Sequence, residues 1–164
     1  MSISGCGPSP ALAAMLRVRG YEVRLYDPAY TADDAALEQR YDFVTATEVV
    51  EHVHYAAALW PRLLSLLGPG APLVVMTKRV RDEASFAGWH YIRDPTHVRF
   101  YALQTFEWIA ARYGAALSVE GAWDVKEFSK ERISAPSSTP VVAASPPSWW
   151  SPAPVPMAMA RCSA

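Results

Sequence analysis

Short apolar runs alternate along this chain with longer segments whose apolar residues recur at helical spacing. Strands are predicted near Ile3 and over residues 23–26, 43–47 and 73–77. Helices are predicted over residues 11–17, 31–40, 55–67 and 103–113. The runs 117–119 and 125–128 lie close together and predict a terminal antiparallel pair. Strands that alternate with helices indicate an α/β fold built on an open, mostly parallel sheet.

Two of these helices have informative boundaries. Thr31 is predicted to be the N-cap of the helix over 31–40, because its hydroxyl can accept a bond from a first-turn N–H group. Pro61 interrupts the helix over 55–67, and an interior proline costs about 3 kcal/mol or more. This helix is therefore predicted to begin near Trp60 and to end at Gly68.

The connection over 78–94 is long for a compact domain and carries several aromatic side chains. Loops of this length are usually either functional or disordered. Phe86, Trp89 and Tyr91 argue against disorder, since aromatic side chains bury large apolar areas. The connection is therefore predicted to be ordered and functional.

The stretch Ser4-Gly5-Cys6-Gly7-Pro8-Ser9-Pro10 predicts a tight turn between a very short strand and a helix. Gly5 and Gly7 have no side chain, so a ligand can approach the main chain closely. After the helix, the strand over 23–26 ends in Asp27, which completes a βαβ unit. A carboxylate there is placed to accept hydrogen bonds from ribose hydroxyls. Asp27 is therefore predicted to bind a nucleoside and to contribute little to stability.

A nucleotide-dependent oxidoreductase is one alternative for this turn. The dinucleotide fingerprint needs a third glycine for close helix packing, and Pro10 stands near that place. A plain NAD site is therefore disfavoured.

Four blocks of the sequence resemble the class I methyltransferases that use S-adenosylmethionine. The blocks are Gly5-Cys6-Gly7-Pro8, Tyr26-Asp27-Pro28, the run 41–53 and the turn and strand over 67–77. They occur in the order typical of that family and extend over roughly residues 5–130. The resemblance implies a Rossmann-like fold, S-adenosylmethionine as cofactor, and methyl transfer to a small-molecule acceptor through oxygen, nitrogen or carbon.

The same resemblance implies a set of cofactor-binding residues. These are Gly5, Cys6, Gly7, Asp27, Pro28, Tyr30, Thr47 and Glu48. Glu48 is the carboxylate expected beside the cofactor's α-ammonium group, and Tyr30 is the residue expected to stack on adenine.

The chain also departs from the family pattern. The first strand is short, as though clipped at the N-terminus; Ile3 stands where the family has an acid; and the usual third strand is missing, as in compact members. A non-catalytic, methyltransferase-like binding domain is therefore the alternative function.

The candidate catalytic residues are His97, His90 and Tyr91, in the region 86–101 that the resemblance places near the acceptor. Methyl transfer from a sulfonium depends mainly on in-line approach, so a base matters only for a protonated hydroxyl or amine. The alternative is that His97 and Asp94 are structural and hold the loop by hydrogen bonds.

Several residues that follow the strand over 43–47 are types that ligate metals. They are Glu48, Glu51, His52 and His54. Carboxylates and imidazoles suit several divalent metals. Glu51 and His52 are adjacent, however, and would diverge on a helix, so no metal is expected and His52 is expected to cap or line the crevice.

Composition fits a globular protein with a small-molecule substrate. The chain has 164 residues, of which 51% are apolar and 19% charged, and its formal charge of −1 gives no nucleic-acid footprint. No apolar run is long enough to span a membrane. Cys6 and Cys162 lie at opposite ends, so a reducing, cytoplasmic location is expected. Residues 1–133 are predicted to form the domain and 134–164, rich in Pro, Ser and Ala, a disordered tail; the oligomeric state is left open.

Overall fold

The fold is given by a computed structural model that describes the backbone of residues 2–4 together with residues 7–120 and 124–129. The predicted site residues Gly5 and Cys6 and the predicted tail over 134–164 lie outside the described residues. The strands are β1 (Ser2–Ser4), β2 (Arg24–Tyr26), β3 (Val44–Thr47), β4 (Pro72–Met76), β5 (Arg79–Val80), β6 (Tyr101–Ala102), β7 (Ala116–Glu120) and β8 (Val125–Ser129). The helices are α1 (Ala11–Val18), α2 (Ala56–Ser65), α3 (Glu83–Phe86) and α4 (Leu103–Tyr113).

The main sheet has six strands in the order β2-β1-β3-β4-β8-β7. β1 pairs in parallel with β2 and with β3, and β3 pairs in parallel with β4. β8 runs antiparallel to both β4 and β7. The predicted Rossmann-like sheet with its C-terminal antiparallel pair is therefore confirmed. Because β1 lies between β2 and β3, the strand order reverses there, at the point where open α/β sheets bind ligands.

Helix α2 begins earlier than the sequence predicts. It starts at Ala56, and Pro61 lies inside it. Trp60, Leu63 and Leu64 on one face of this helix are all buried in the main core. Ala56 and Leu59, in the turn before the proline, also pack against this core, and their burial offsets the cost of about 3 kcal/mol for the proline. The predicted start near Trp60 is therefore wrong, because tertiary packing outweighs the local penalty.

The predicted helix over 31–40 is also wrong. The structure has only a short 3-10 turn, Asp34–Leu37, in this segment. Asp33 and not Thr31 occupies the N-cap position of this turn, and the Thr31 backbone pairs with Asp27 through two N–H···O bonds of 2.8 and 2.9 Å. Ala36 is the buried residue of the turn, and its small side chain buries too little apolar area to stabilise a longer helix.

The long connection after β4 is ordered, as its aromatic content predicts. It contains β5, the one-turn helix α3 and a 3-10 turn at His90–Arg93. β5 then pairs in parallel with β6 in a small second sheet. Phe86, Trp89 and Phe100 pack against one another with ring centroids 5.4–6.3 Å apart.

Helix α4 follows its sequence prediction closely. Phe106, Ile109 and Ala110 are buried on one face, as the apolar spacing indicates. Gly114 ends the helix with a left-handed φ of 62°, a conformation that glycine adopts without steric cost. Within the described residues, none of the helices has the length and hydrophobicity needed to span a bilayer.

Candidate active site

The candidate site lies at the edge of the main sheet where the parallel strands end. Asp27 follows β2, Glu48 follows β3 and Thr77 follows β4 directly. Gly7 comes three residues after the end of β1. Because β1 pairs with both β2 and β3, Gly7 lies between the strand ends that carry Asp27 and Glu48. The fold therefore brings Gly7, the part of the predicted glycine turn that the structure describes, and both predicted carboxylates to the same edge of the sheet.

Asp27 joins the glycine turn to the end of β2. One carboxylate oxygen, Oδ2, accepts a hydrogen bond from the Gly7 N–H at 2.9 Å. The other, Oδ1, accepts from the N–H groups of Ala29 at 2.9 Å and Tyr30 at 3.2 Å. The residue is only 8% exposed. The expectation that Asp27 contributes little to stability is therefore corrected, because its carboxylate satisfies three backbone donors.

The other predicted cofactor residues surround this turn. Gly7 has a φ of +59°, and a Cβ placed there would meet no atom of the described residues within 4 Å. Pro28 and Tyr30 are exposed, and the Tyr30 ring is free to receive a planar ligand. Thr47 is the last residue of β3 and is partly buried.

Glu48 stands in an unusual backbone conformation at the end of β3. Its φ is 51°, a region that non-glycine residues occupy at a cost of about 1–3 kcal/mol. The Glu48 N–H donates to the Met76 carbonyl at 2.8 Å, which fixes the exit of β3 against the end of β4. Strained backbone conformations of this kind occur most often at functional sites, where contacts with the surrounding structure maintain them.

The hydroxyl of Tyr91 lies between two carboxylates. It is 3.1 Å from Oε2 of Glu48 and also bonds Oε1 of Glu51. Thr77 Oγ1 is 3.2 Å away. Burial and the bond to Glu51 raise the pKa of Tyr91 well above its usual value. The hydroxyl therefore keeps its proton near neutral pH and donates it to a carboxylate, which makes Tyr91 a positioning group for Glu48 and Glu51.

The charge of Glu48 is disfavoured by its surroundings. Burial raises the pKa of Glu48, and the neighbouring Glu51 carboxylate raises it further. The Tyr91 hydrogen bond and the Lys78 charge act in the opposite direction. A cationic ligand beside Glu48 would relieve this repulsion.

The two histidine candidates occupy different positions. His97 packs on Tyr91, with ring centroids 3.9 Å apart, and its Nδ1 lies 2.8 Å from the Tyr91 carbonyl oxygen. His90 is exposed, and its Nε2 lies 2.9 Å from Nζ of Lys78. The His97 ring therefore contacts Tyr91 directly, whereas the His90 ring contacts Lys78.

Residues 96–99 are attached to residues 51–54, which brings His97 beside Glu51 and His52. The N–H groups of Val98 and Arg99 donate to the Glu51 carbonyl at 2.9 and 3.1 Å. The Arg99 guanidinium donates to the carbonyls of Val53 and His54.

One ligand atom from each of Glu51, His52 and His97 lies within 4.8 Å of the others. Glu51 and His52 are adjacent in a 3-10 turn, yet their ligand atoms stay close, because the Tyr91 hydroxyl holds the Glu51 carboxylate and the Thr96 carbonyl holds the His52 ring. The expectation that they point apart is therefore wrong. His54 is not part of this group.

Lys126 on β8 extends the polar network and was missed by the sequence analysis. It is 0% exposed, and Nζ donates to the Thr77 carbonyl at 2.7 Å and to the Asp124 carbonyl. Nζ also lies 4.9 Å from the centroid of the Phe106 ring. Burial lowers the pKa of Lys126 to about 8, since desolvation disfavours the charged form. A signal was available in the strand alternation, because residues 126 and 128 share a face and Phe128 is in the core.

Stability is expected to rise with pH over the range set by Lys126. Above about 8 the folded chain has lost a proton that the unfolded lysine, with a pKa of 10.5, still binds. The free energy of unfolding increases with pH wherever the unfolded state binds more protons. Between pH 7 and 9.5 the expected gain from this group is about 2 kcal/mol, measured by urea unfolding at both pH values.

Lys126→Met is the matched variant, because methionine keeps the length of the side chain and cannot ionise. It should remove the pH-dependent gain. The predicted rise in stability is limited to pH values below 10. Burial raises the pKa of Tyr101 to about 12, so at higher pH the tyrosine ionises in the unfolded chain first and folding is opposed. Equal pH dependence in the wild type and the variant would contradict the depressed lysine pKa.

A cavity of 350 Å³ opens beside this network and is lined in part by β5 of the small second sheet. Its lining combines basic and aromatic side chains, chiefly Lys78, Arg79, Arg81, Phe86, Trp89 and His90. Arg79 is held by Asp124, with Nε donating to Oδ1 at 2.8 Å. The cavity therefore offers aromatic faces and positive charge next to the strand ends.

A family model described as a methyltransferase domain matches residues 4–118. The chain belongs to this family of methyltransferase domains, which agrees with the resemblance seen in the sequence and not with the oxidoreductase alternative. No curated protein matches the sequence significantly.

Solved methyltransferase structures share the fold at low sequence identity. An O-methyltransferase family protein from Burkholderia thailandensis superposes with a TM-score of 0.58 at 14% identity, covering 80% of this chain and 50% of that one. Magnesium protoporphyrin IX methyltransferase from Synechocystis PCC 6803, solved with bound SAH, gives 0.54 at 16% identity, covering 79% and 73%. A phosphoethanolamine N-methyltransferase from Haemonchus contortus gives 0.52 at 19% identity, covering 73% and 34%. This chain thus spans half of the Burkholderia protein and a third of the Haemonchus protein.

Proposed function

We propose that this chain binds S-adenosylmethionine in the crevice between the ends of β1 and β3 and transfers its methyl group to a small molecule. The observation that carries the proposal is the hydrogen bond from Gly7 to Asp27, with Glu48 at the end of the next strand, at the point where the strand order reverses. Family membership and the fold shared with the SAH-bound Synechocystis enzyme support the same conclusion.

The residues present fit a nucleoside with an amino-acid tail. The open backbone at Gly7 admits close approach of a ligand. A carboxylate has about four lone-pair sites, and Asp27 uses three of them on backbone donors, which leaves one for a ribose hydroxyl. Glu48 would pair with the α-ammonium group, and Tyr30 would cover the adenine. Thr47 and Pro28 would border the cofactor.

Bound S-adenosylmethionine supplies an electrophilic methyl group on a sulfonium sulfur. The protein's main task is then to hold the acceptor in line with that group, which accounts for much of the rate in such reactions. Tyr91 contributes by fixing the two carboxylates. In the metal-free chain, His97 is better placed than His90 to take a proton from an acceptor, because His90 Nε2 is already engaged by Lys78.

The acceptor is proposed to enter the 350 Å³ cavity beside β4. That volume suits a small molecule and not a folded partner. Phe86 and Trp89 offer aromatic faces, and Lys78 and Arg81 offer positive charge. An acceptor with a planar ring and an anionic group would match this lining.

Calorimetric titration of the full chain with S-adenosylhomocysteine tests the proposal. We expect saturable binding in the wild type and at least tenfold weaker binding in Glu48→Gln, because a charge-assisted hydrogen bond contributes about 1.5–3 kcal/mol. Since S-adenosylhomocysteine keeps the α-ammonium group, and the pKa of Glu48 is raised, binding should also weaken as the pH falls toward that pKa.

Glu107→Gln is the matched control, because Glu107 is exposed on α4 and undergoes the same chemical change. Its affinity should equal that of the wild type. If millimolar S-adenosylhomocysteine produced neither heat nor a thermal shift, the non-catalytic alternative would replace this proposal.

A further inference from the structure

We propose that Glu51, His52 and His97 bind a divalent transition-metal ion at the edge of the crevice. Their ligand atoms lie within 4.8 Å of one another in the structure. The set of two imidazole nitrogens and one carboxylate oxygen is a known donor set for zinc and non-haem iron. The proposal departs from the expectation that this group of residues holds no metal.

The backbone fixes both imidazole rings in the tautomer that a metal needs. His52 Nδ1 lies 3.1 Å from the Thr96 carbonyl oxygen, and His97 Nδ1 lies 2.8 Å from the Tyr91 carbonyl oxygen. A carbonyl oxygen only accepts, so each Nδ1 carries the hydrogen and each neutral ring presents the lone pair of Nε2. Metal-binding histidines are oriented by this kind of outer hydrogen bond.

Glu51 supplies an independent observation. The residue is 0% exposed, and its Oε1 is engaged by the Tyr91 hydroxyl. Its Oε2 is buried and has no hydrogen-bond partner among the described residues. A buried carboxylate oxygen without a partner is costly, because it has lost water and gained nothing in return. A cation bound between Oε2 and the two histidines would remove that cost.

The surrounding structure holds the three ligands at a nearly correct spacing. Metal–ligand bonds of about 2.0–2.2 Å bring ligand atoms to about 3–4 Å from one another, so small side-chain rotations would close the site. His97 Nε2 has a nearby carboxylate, Asp94 Oδ2, but the 3.8 Å separation is too long for a hydrogen bond. The backbone bonds from Val98 and Arg99 to Glu51 keep the two segments together whether or not a metal is present.

Two nitrogen donors favour zinc, iron, cobalt or nickel over magnesium, which prefers oxygen ligands. Three protein ligands leave at least one coordination position open. A role in methyl transfer rests on the proposed function: an acceptor hydroxyl bound at that position would lose its proton to solvent more readily. Its oxygen would then form the new bond to the methyl carbon while the sulfur–carbon bond breaks and its electron pair stays on sulfur. His97 would act as a ligand and not as a base.

The test uses the full chain, freed of metal by dialysis against chelator, and no cofactor. We expect Zn²⁺ to bind with a stoichiometry of one by calorimetry, to raise the melting temperature, and to be replaceable by Co²⁺ with visible absorption from nitrogen and oxygen ligands. Glu51→Gln and His52→Ala should each weaken Zn²⁺ binding by more than about tenfold, because loss of a group that only orients a metal ligand already costs about 10–100-fold. His54→Ala is the matched control, because His54 is an exposed neighbour outside the cluster, and it should bind as the wild type does.

Three results would overturn the proposal: no Zn²⁺ binding at millimolar concentration, full binding by Glu51→Gln and His52→Ala, or loss of binding only in His54→Ala. Both cluster variants are compared by melting temperature in the absence of metal, and His52 is solvent-accessible, so its loss should leave the fold intact. Metal binding without S-adenosylhomocysteine binding would refute the proposed function alone, and the reverse would refute the metal site alone.

Discussion

Replacing Phe106 with alanine is expected to lower the free energy of unfolding by about 3–5 kcal/mol. Phe106 is 0% exposed on α4. Its ring stacks on Tyr101 with centroids 5.2 Å apart, and Trp60 and Phe128 lie 6.1 Å away. Truncation would remove these contacts and leave a cavity that the sheet behind it cannot fill. Because domains of this size are stable by only about 5–15 kcal/mol, the loss is a large share of the total.

Urea unfolding monitored by tryptophan fluorescence measures this loss. Tyr55→Ala is the control, since Tyr55 is 67% exposed and its truncation should change stability by no more than about 0.5 kcal/mol. Phe106→Leu should fall between the two, because leucine fills most of the volume. A loss below about 1 kcal/mol for Phe106→Ala would mean that α4 does not pack on the sheet as described.

The elements that the sequence predicted correctly are those whose pattern is local. Helix α4 shows apolar residues at a period near 3.6 and ends at a glycine, so both its face and its end were predictable. The strands β3 and β4 are short runs rich in β-branched or apolar residues, which favour strands. Asp27 and Glu48 could be predicted to lie at strand ends, because each directly follows a predicted strand; their roles in a site stay predictions.

The features that could not be predicted depend on contacts between distant parts of the chain. His97 meets Glu51 and His52 because residues 98 and 99 donate backbone hydrogen bonds to the Glu51 carbonyl, and no side-chain pattern encodes those bonds. The strand alternation indicates the face of β8 on which Lys126 lies, but its hydrogen-bond partner, the Thr77 carbonyl, is 49 residues away and is not indicated by the sequence. Backbone pairing of this kind has no residue preference that a single sequence reveals.

The polar groups beyond the strand ends form a continuous chain of hydrogen bonds. Lys126 bonds the Thr77 carbonyl, Thr77 Oγ1 contacts the Tyr91 hydroxyl, and that hydroxyl bonds both Glu48 and Glu51. Buried polar networks of this type fix one arrangement, because each member that loses its partner is left unsatisfied. The Tyr91 hydroxyl therefore connects Glu48, the residue proposed to bind the cofactor, to Glu51, the proposed metal ligand.

Asp27→Ala is expected to reduce both stability and cofactor affinity. The carboxylate accepts from the N–H groups of Gly7, Ala29 and Tyr30, so its removal leaves three donors without their acceptor. Losing such charge-assisted bonds should lower the free energy of unfolding by about 2–4 kcal/mol. Affinity for S-adenosylhomocysteine should fall by at least tenfold, since about 1.4 kcal/mol of lost binding is a factor of ten.

Asp27→Asn separates the two roles of Asp27. The asparagine carbonyl oxygen can still accept from the N–H groups of Ala29 and Tyr30, which keeps the turn, whereas its NH₂ group would face the Gly7 N–H and accepts nothing from it. We therefore expect stability to recover partly while affinity stays low, because the glycine turn is no longer held and the charge is gone. For both variants, calorimetry measures the affinity for S-adenosylhomocysteine and thermal melting measures the stability. An Asp27→Asn protein that binds S-adenosylhomocysteine as tightly as the wild type would make Asp27 a structural turn residue and remove the main support for a nucleoside at this strand end.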